Sequence, residues 1–340
     1  MNVLGKKIFV GLSGGVDSAV TAALLQKAGA EVIGVFIKGW YPEGLPCTWA
    51  ADRKDAMRVA AHLRIPFHTL DASKEYKQSV IDYLIREYGA GRTPNPDIMC
   101  NRDVKFGVFY RFAMEHGADF IATGHYARQE DGRLLRGVDP EKDQSYFLWA
   151  IGKEALTHTL FPLGGMHKSA VRAEAKSLGL PNAEKRDSQG ICFLGPVSMD
   201  DFLRAEFPVT PGEAVDISGK KVGTHDGALL YTLGERAPLQ GAAAGPWYVI
   251  AKDIQTNTLV VSNERASQAP ASIIRLTEAN WFQTPGENVE AQYRYHGPLV
   301  SGTYTEQTFT PDASLPEPAA SGQSLVIYNG DTVVGGGIIE

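Results

Sequence analysis

Apolar runs and amphipathic stretches take turns over the first 125 residues. Short apolar runs at 8–12, 31–37, 66–70 and 120–123 read as strands. The segments 16–28, 50–63, 75–88 and 104–116 between them read as helices. Gly29 and Gly117 stand where two of these helices should stop. Strands alternating with helices imply an α/β domain with a doubly wound parallel sheet. Ligands of such sheets bind beyond the carboxyl ends of the strands. Residues 11–18 and the pair Gly124-His125 follow two of the strands, so both are expected to face the same ligand.

Beyond Gly124 the alternation loosens. Asp131-Gly132 before the apolar 134–136 suggests a hairpin, and 169–178 reads as a helix closed by Gly179. After Phe202, Pro208, Pro211 and Gly212 mark a linker, with β segments expected at 214–217, 229–232, 247–250 and 258–261. A second break falls at 267–271. Strands at 324–328 and 332–334 then flank Asn329-Gly330, a strong hairpin signal. The expected organisation is an α/β catalytic domain over 1–203, a small mainly-β domain over 204–266 and a C-terminal β-barrel over 267–340. A chain of 340 residues exceeds one comfortable core, in keeping with several domains.

Composition narrows the class. Hydrophobic residues make up 44% and charged residues 21%, as in ordinary globular proteins. There is no apolar run of membrane-spanning length and no secretory signal pattern, so no membrane association and a cytoplasmic location are expected. The net charge of −6 is uneven: 1–200 carries +2 and 201–340 carries −8. An acidic total neither excludes nor suggests an RNA partner, because a local basic surface suffices. Three cysteines, Cys47, Cys100 and Cys192, with no C-x-x-C pair argue against a disulfide scaffold or a cysteine-rich metal site.

The first chemical signal is Gly11-Leu12-Ser13-Gly14-Gly15-Val16-Asp17-Ser18. A glycine-rich turn entering a helix offers backbone N–H groups and the positive end of the helix dipole to an anion. No lysine follows the glycines, which excludes the G-x-x-x-x-G-K-[ST] phosphate loop, and the spacing does not fit G-x-G-x-x-G. The Ser-Gly-Gly-x-Asp-Ser core resembles the pyrophosphate loop of ATP pyrophosphatases, which cleave ATP between its α and β phosphates to adenylate a substrate.

The second signal is Gly91-Arg92-Thr93-Pro94-Asn95-Pro96-Asp97-Ile98-Met99-Cys100-Asn101. Two prolines two residues apart predict a stiff, non-helical loop ending in a thiol. Asp97 stands near enough to Cys100 to handle a proton, but a carboxylate raises a thiol's pKa. Activation must therefore come from a cation such as Arg92, Arg102 or Lys105. The third signal is Cys192 within Asp187-Ser188-Gln189-Gly190-Ile191-Cys192-Phe193-Leu194. Taken singly it is as much a core residue as a reactive one. Paired with Cys100 it is more pointed, since cooperating thiols need only meet in the fold.

Together these motifs, with Thr123-Gly124-His125-Tyr126, Lys142-Asp143-Gln144-Ser145-Tyr146-Phe147-Leu148 and Gly335-Gly336-Gly337-Ile338, resemble the bacterial tRNA-specific 2-thiouridylases in order and over essentially the whole chain. The resemblance implies ATP held by Gly11, Leu12, Ser13, Gly14, Gly15, Val16, Asp17 and Ser18, with Ile37 and Gly124 beside it and Mg²⁺ on the pyrophosphate. It implies that the C2 oxygen of the wobble uridine is adenylated. Cys192 then receives sulfur as a persulfide from a sulfur-carrier protein or cysteine desulfurase, and Cys100 attacks that persulfide. The outcome is free hydrosulfide or a Cys100–Cys192 disulfide. By the same resemblance Asp97 is the acid/base residue, Asn95, Pro96 and Asp97 hold the target base, and His125, Lys142, Asp143, Gln144, Arg294, Tyr295 and Gln323 contact tRNA.

Plainer roles compete. His125 could simply bond backbone, residues 142–144 could be a solvated turn, Cys47 has no motif around it, and Tyr231, Trp247 and Tyr248 suit packing better than base stacking. The chain departs from the family at several points. Glu235 and Ala237-Pro238 stand where relatives have Gln and Lys-Gly, and Ile37 stands for a methionine. Gln189 replaces a threonine and His296 an arginine. The rivals are an amidotransferase-type synthetase, which needs no paired thiols, a non-catalytic nucleotide-binding module, and a thiolase whose metal cluster is held by Cys100, Cys192 and Asp97.

Overall fold

The computed structural model describes residues 2–42, 49–187, 192, 195, 197–242, 245–264 and 273–340. Cys47, the neighbours Gly190, Ile191 and Phe193 of Cys192, and the expected boundary at 266/267 lie outside the described residues.

The first domain is built on β1 (Lys7–Gly11), β2 (Glu31–Lys38), β3 (Phe67–Asp71) and β4 (Phe120–Ala122). A hairpin of β5 (Ala127–Glu130) and β6 (Arg133–Arg136) precedes β7 (Thr159–Leu160). The parallel sheet has the order β3-β2-β1-β4-β7. The chain runs outward from β1 in both directions, so the topological switch lies between β1 and β4, where a crevice opens at the carboxyl ends. Successive side chains of β1 point to opposite faces. Ile8 and Val10 pack with Val20 of α1 (Val16–Lys27) and Val59 of α2 (Trp49–Leu63). Phe9 packs on the other face, in one cluster with Tyr76, Leu84, Val104 and Phe109. Each fully buried side chain of this kind contributes on the order of 1.5–3 kcal/mol. Burial on both faces is what makes the central strands β1 and β2 continuous apolar runs, whereas the edge strand β3 is half exposed.

Two expectations for the second face need correction. The helix expected at 75–88 is α3 (Ser73–Tyr76), a π-helical turn at Lys77–Ile81 and α4 (Asp82–Gly89). The stiff loop expected at 91–101 ends early, because α5 (Pro96–Met99) already starts there. Proline is harmless at the first helical position, where its missing N–H has no intrahelical partner. Asn95 caps the helix, its Oδ1 accepting the Asp97 N–H at 3.0 Å. The helix continues through π-helical turns over Cys100–Val108 into α6 (Phe109–Glu115). Helices α7 (Lys153–Thr157) and α8 (Lys168–Ser177) follow, and α9 (Met199–Glu206) spans the expected boundary at 203/204.

The small second domain pairs β8 (Gly212–Val215), β9 (Lys221–His225), β10 (Tyr248–Asp253) and β11 (Thr258–Ser262) in the order β10-β11-β8-β9. The strand expected at 229–232 is instead a 3-10 turn at Ala228–Leu230. Asn257 Oδ1 takes the Ala228 N–H at 2.9 Å, a side-chain contact in place of strand pairing. The last domain, β12 (Ile274–Trp281), β13 (Asn288–Gln292), β14 (Val300–Thr305), β15 (Thr308–Pro311), β16 (Ser324–Asn329) and β17 (Thr332–Ile339), is a barrel closed by pairing of β12 with β17. Hairpin β5–β6 of the first domain adds to β17 through Thr332 and Leu135. Asn280 Nδ2 also donates to the carbonyls of Trp149 and Ile151, at 2.7 and 3.0 Å. The barrel is thus fastened to the α/β domain, close to the second-face helices.

Candidate active site

The turn from β1 into α1 forms one wall of the crevice. Gly15 is the N-cap of α1 and no side chain caps the helix, which leaves its first turn suited to an anion. Ser18 Oγ accepts the Ser13 N–H at 3.2 Å and lies 3.2 Å from Ser13 Oγ, so the two hydroxyls brace the turn. Gly14 has φ +81°, and a Cβ there would meet the Asp52 carbonyl oxygen at 2.4 Å. Gly124, at the end of β4, comes so close that a Cβ would sit 2.9 Å from Asp17 C and Ser18 N. Leu12 and Val16 are buried in the core, so only their backbones face the crevice. Ile37 is buried near the carboxyl end of β2.

The acidic residue of this turn is neutralised by a residue that sequence reading missed. Lys168 Nζ lies 2.8 Å from both Asp17 carboxylate oxygens, and Tyr126 donates its hydroxyl to Asp17 at 2.9 Å. Lys168 also reaches Asp187 at 2.9 Å, where Arg172 and Lys142 converge at 2.5 and 3.6 Å. Three cations around one carboxylate, with a fourth group screening Asp17, favour an anion at this end of the crevice. A lysine at the start of a helix 151 residues away has no signature in the chain.

The second-face helix links this turn to the thiols. The Phe109 ring lies 3.6 Å from where a Cβ on Gly11 would be. Cys100 is nine residues earlier in the same continuous helical segment. Cys100 is wholly buried and Cys192 half-buried; both are free thiols, near enough to shift each other's acidity. Tyr76 donates its hydroxyl to the Cys192 carbonyl at 2.5 Å, and the Cys192 N–H donates to Asp97. The Cys100 hydrogen bond, followed by the nearby Lys105 ammonium, overcomes burial and lowers the Cys192 thiol to about 7. Burial, then donation to Cys192, pushes Cys100 the other way. Burial also raises the Asp97 carboxyl, with Lys105 opposing. The pair is therefore asymmetric, with one thiol ionised near neutral pH and one held protonated.

The remaining expected residues fall into two groups. Asp143 Oδ1 accepts the N–H groups of Gly137 and Ser145 at 2.9 and 3.1 Å, and Gln144 Oε1 accepts that of Tyr126 at 3.0 Å. The Tyr295 hydroxyl reaches the Asp143 carbonyl at 3.2 Å, and its ring lies 4.3 Å from that of Phe147. Phe147 in turn offers its carbonyl to Asn101 Nδ2 at 3.0 Å, one residue past Cys100. A cleft of about 260 Å³ lies here, lined by Arg136, Glu141, Asp143, Tyr146, Tyr295 and His296 among others. Arg294 is occupied by Glu317 and by the Leu233 carbonyl at 2.7 Å, tying barrel to second domain. Gln323 donates to the Thr93 carbonyl at 2.6 Å, and a Cβ on Gly322 would sit 2.9 Å from Thr93 C. The barrel thereby grips the segment that leads to Asn95 and Cys100. Gly322→Ala is expected to lower the rate of any reaction at Cys100 while leaving nucleotide affinity within about twofold; equal loss of both would assign the glycine to stability alone.

His125 is 9% exposed, between the rings of Phe106 and Phe161, with Nδ1 2.8 Å from Thr123 Oγ1. Burial first, and Lys105 second, hold it well below the usual 6.5, so its ring is neutral. The unfolded chain binds a proton below pH 6.5 that the native ring refuses. This contribution to stability is complete above pH 6.5 and declines below it, by at most about 1.4 kcal/mol per pH unit. Urea midpoints at pH 7.5 and 5.5 should therefore differ less for His125→Asn than for the parent, and an identical difference would refute the assignment.

An uncapped β1–α1 turn at a topological switch, with Cys100 on the adjoining helix and the Cys192 thiol near it, defines an α/β protein with an anion-binding crevice and a pair of thiols. Profiles described as tRNA methyl transferase HUP domain, tRNA methyl transferase PRC-barrel domain and aminomethyltransferase beta-barrel domain match residues 6–196, 200–263 and 271–339. The tRNA-specific 2-thiouridylase MnmA of Akkermansia muciniphila is 42% identical, covering 98% of both chains. That of Salmonella typhimurium is 41% identical over 98% of this chain and 97% of its own. The chain belongs to the tRNA-specific 2-thiouridylase family. Among solved structures, a 4-thiouridine synthetase–RNA complex with bound ATP aligns with 60% of this chain and 50% of its own, at 21% identity and a TM-score of 0.40. Among the described residues, no helix is long and apolar enough to cross a membrane.

Proposed function

We propose that the protein is an ATP-dependent tRNA uridine 2-sulfurtransferase of the cytoplasm. Family membership supports thiolation of tRNA, and the observation that carries the finer reading is the closeness of Cys100 and Cys192 with their opposite acidities. ATP fits the uncapped start of α1: the backbone of residues 11–18, with Ser13 and Ser18, would hold its phosphates, and Gly124 leaves room beside them. When bound it supplies an adenylyl group that turns the C2 oxygen of the wobble uridine into a leaving group. Asp17 is already engaged by Lys168 and Tyr126, so Mg²⁺ would be held mainly by the ATP phosphates; among the described residues no group of metal-ligating side chains lies ready for it.

The thiols divide the sulfur chemistry. The Cys192 thiolate attacks the outer sulfur of a persulfide carried by a sulfur-carrier protein or cysteine desulfurase, forming Cys192–S–SH and releasing the donor's thiol. Cys100, its proton passed to Asp97, then attacks the inner sulfur. A Cys100–Cys192 disulfide forms and hydrosulfide leaves to add at C2 as AMP departs. A dithiol reductant returns both thiols for the next turnover. Asn95, Pro96 and Asp97 hold the flipped base, while Lys142, Asp143, Gln144, Arg294, Tyr295, Gln323 and His125 support the tRNA surface. His125 does so from inside, by bracing the Phe106 side of the thiol helix.

The test is formation of 2-thiouridine in unmodified tRNA with ATP and a persulfide donor. Thiolation that proceeds equally without ATP, or none with every component present, would overturn the proposal. Iron and sulfide assays on anaerobically purified protein distinguish the cluster-dependent alternative.

A further inference from the structure

We infer that Glu278 of the barrel is a positioning residue for Cys100: its carboxylate grips Arg102 on the thiol-bearing helical segment, and a strained bulge of β12 puts it there. The inference takes from the sulfur-transfer reading only that Cys100 reacts.

What singles out Glu278 is its backbone, with φ at +48°. This left-handed region crowds the Cβ of an L-residue against the following carbonyl, and it is foreign to a strand. Three residues of β12 step there against two of β17, since Thr277 pairs with Ile338 and Asn280 with Gly336. The seam that closes the barrel therefore carries a bulge, a device that re-aims side chains. The bulged glutamate places its Oε2 2.9 Å from Arg102 Nη1.

Arg102 offers that carboxylate a fixed target. Asp103 holds its Nε at 3.0 Å and its Nη2 at 3.1 Å, which leaves Nη1 for the barrel. Arg102 lies two residues beyond Cys100, in the turns over Cys100–Val108. Nine residues before Arg102 the barrel takes hold again. The Ser321 carbonyl accepts the Thr93 N–H at 2.8 Å, and Gln323 donates to the Thr93 carbonyl at 2.6 Å. Asn95, Asp97 and Cys100 lie between the two fastenings, so the barrel splints the reactive segment from both ends.

Stability does not account for the strain. The Glu278 and Arg102 side chains are 49% and 33% exposed, and an ion pair so open to water adds little to stability. Asn280, past the bulge, reaches the Trp149 and Ile151 carbonyls through its own amide and needs no carboxylate at 278. Nor does a carboxylate suit contact with RNA, whose phosphates it repels. A strained residue that adds little stability and ends beside a reactive group marks a functional constraint.

The experiment follows iodoacetamide alkylation of the full-length protein by mass spectrometry of the Cys100 peptide, with melting curves and thiolation kinetics beside it. Cys100 is wholly buried, so it alkylates only when its segment opens. Glu278→Gly removes the carboxylate and suits the left-handed backbone, so its melting temperature should equal or exceed the parent's. Cys100 should nevertheless alkylate about threefold faster or more, the effect of losing one ion pair. The kcat for 2-thiouridine should fall by about the same factor, with KM for tRNA within about twofold. Glu278→Gln, which keeps an oxygen for Arg102, should lie nearer the parent than the glycine variant on both rates. Glu278→Ala carries the same comparison if the glycine variant is unfolded. A Cys100 rate that superposes on the parent's overturns the inference, as does a faster rate that comes only with a lower melting temperature. A raised KM for tRNA with kcat unchanged would make Glu278 an RNA contact and overturn it as well. The alkylation needs neither ATP nor tRNA: a faster Cys100 in a protein that never makes 2-thiouridine would uphold Glu278 and sink the sulfur-transfer reading instead.

Discussion

Cys192→Ser and Cys100→Ser are each expected to lower 2-thiouridine formation by about a thousandfold or more, for different reasons. A serine at 192 cannot accept sulfur, so the donor persulfide stays intact. A serine at 100 leaves the Cys192 acceptor in place, but nothing then attacks the persulfide. Removing a nucleophile that acts as part of a unit costs nearly the whole effect of the unit. The two losses differ in what accumulates: after incubation with donor, Cys100→Ser should carry one extra sulfur on the Cys192 peptide, and Cys192→Ser none on Cys100. Neither change should unfold the protein, since sulfur and oxygen differ little in size, although serine at the fully buried position 100 loses about 1–3 kcal/mol if its hydroxyl finds no partner. Full thiolation by either variant would remove the two-thiol mechanism. Persulfide on Cys100 in place of Cys192 would reverse the roles that the acidities assign.

Gly14→Ala is the second large effect. Its φ of +81° costs an L-residue about 1–2 kcal/mol, and the new Cβ would lie 2.4 Å from the Asp52 carbonyl oxygen. That oxygen belongs to the backbone of α2, which Lys185 pins through Asp52 and Asp55 at 2.9 and 2.8 Å, so it cannot yield cheaply. The turn has to move, and Asn182 Nδ2, which holds the Gly14 carbonyl at 3.0 Å, loses its target. Misplacement of an anion site by about 1 Å costs on the order of a hundredfold in rate. The ATP-dependent step should fall by that factor or more, with the melting temperature lower by several degrees. Gly165→Ala, where a Cβ meets nothing within 4 Å, is the matched control and should change neither. An ATP-dependent rate within threefold of the parent would show that the turn does not position the nucleotide.

The sheet and its flanking helices were legible because burial on both faces leaves a periodic trace. Errors arose where one contact outside the segment decided the outcome. Two prolines read as a loop, yet Pro96 fell at the first helical position because Asn95 caps that helix. Apolar 229–232 read as a strand, yet a side chain from Asn257 holds it as a turn. Among the candidate cations the sequence could not choose, since the carboxylates that engage Arg92 and Arg102, Glu87 at 2.5 Å and Asp103 at 3.0 Å, are found only in the fold.

By itself the chain determined the βα alternation, the anion turn at 11–18, the closing Asn329-Gly330 hairpin and the identity of both thiols, because each depends on local conformation or on residue chemistry. Only the tertiary structure decided that Cys100 and Cys192 come together, that their acidities diverge, and that Lys168 neutralises Asp17. Those properties come from charge, burial and hydrogen bonds between residues up to 151 positions apart, and electrostatic energy depends on distance in space, which sequence separation does not record.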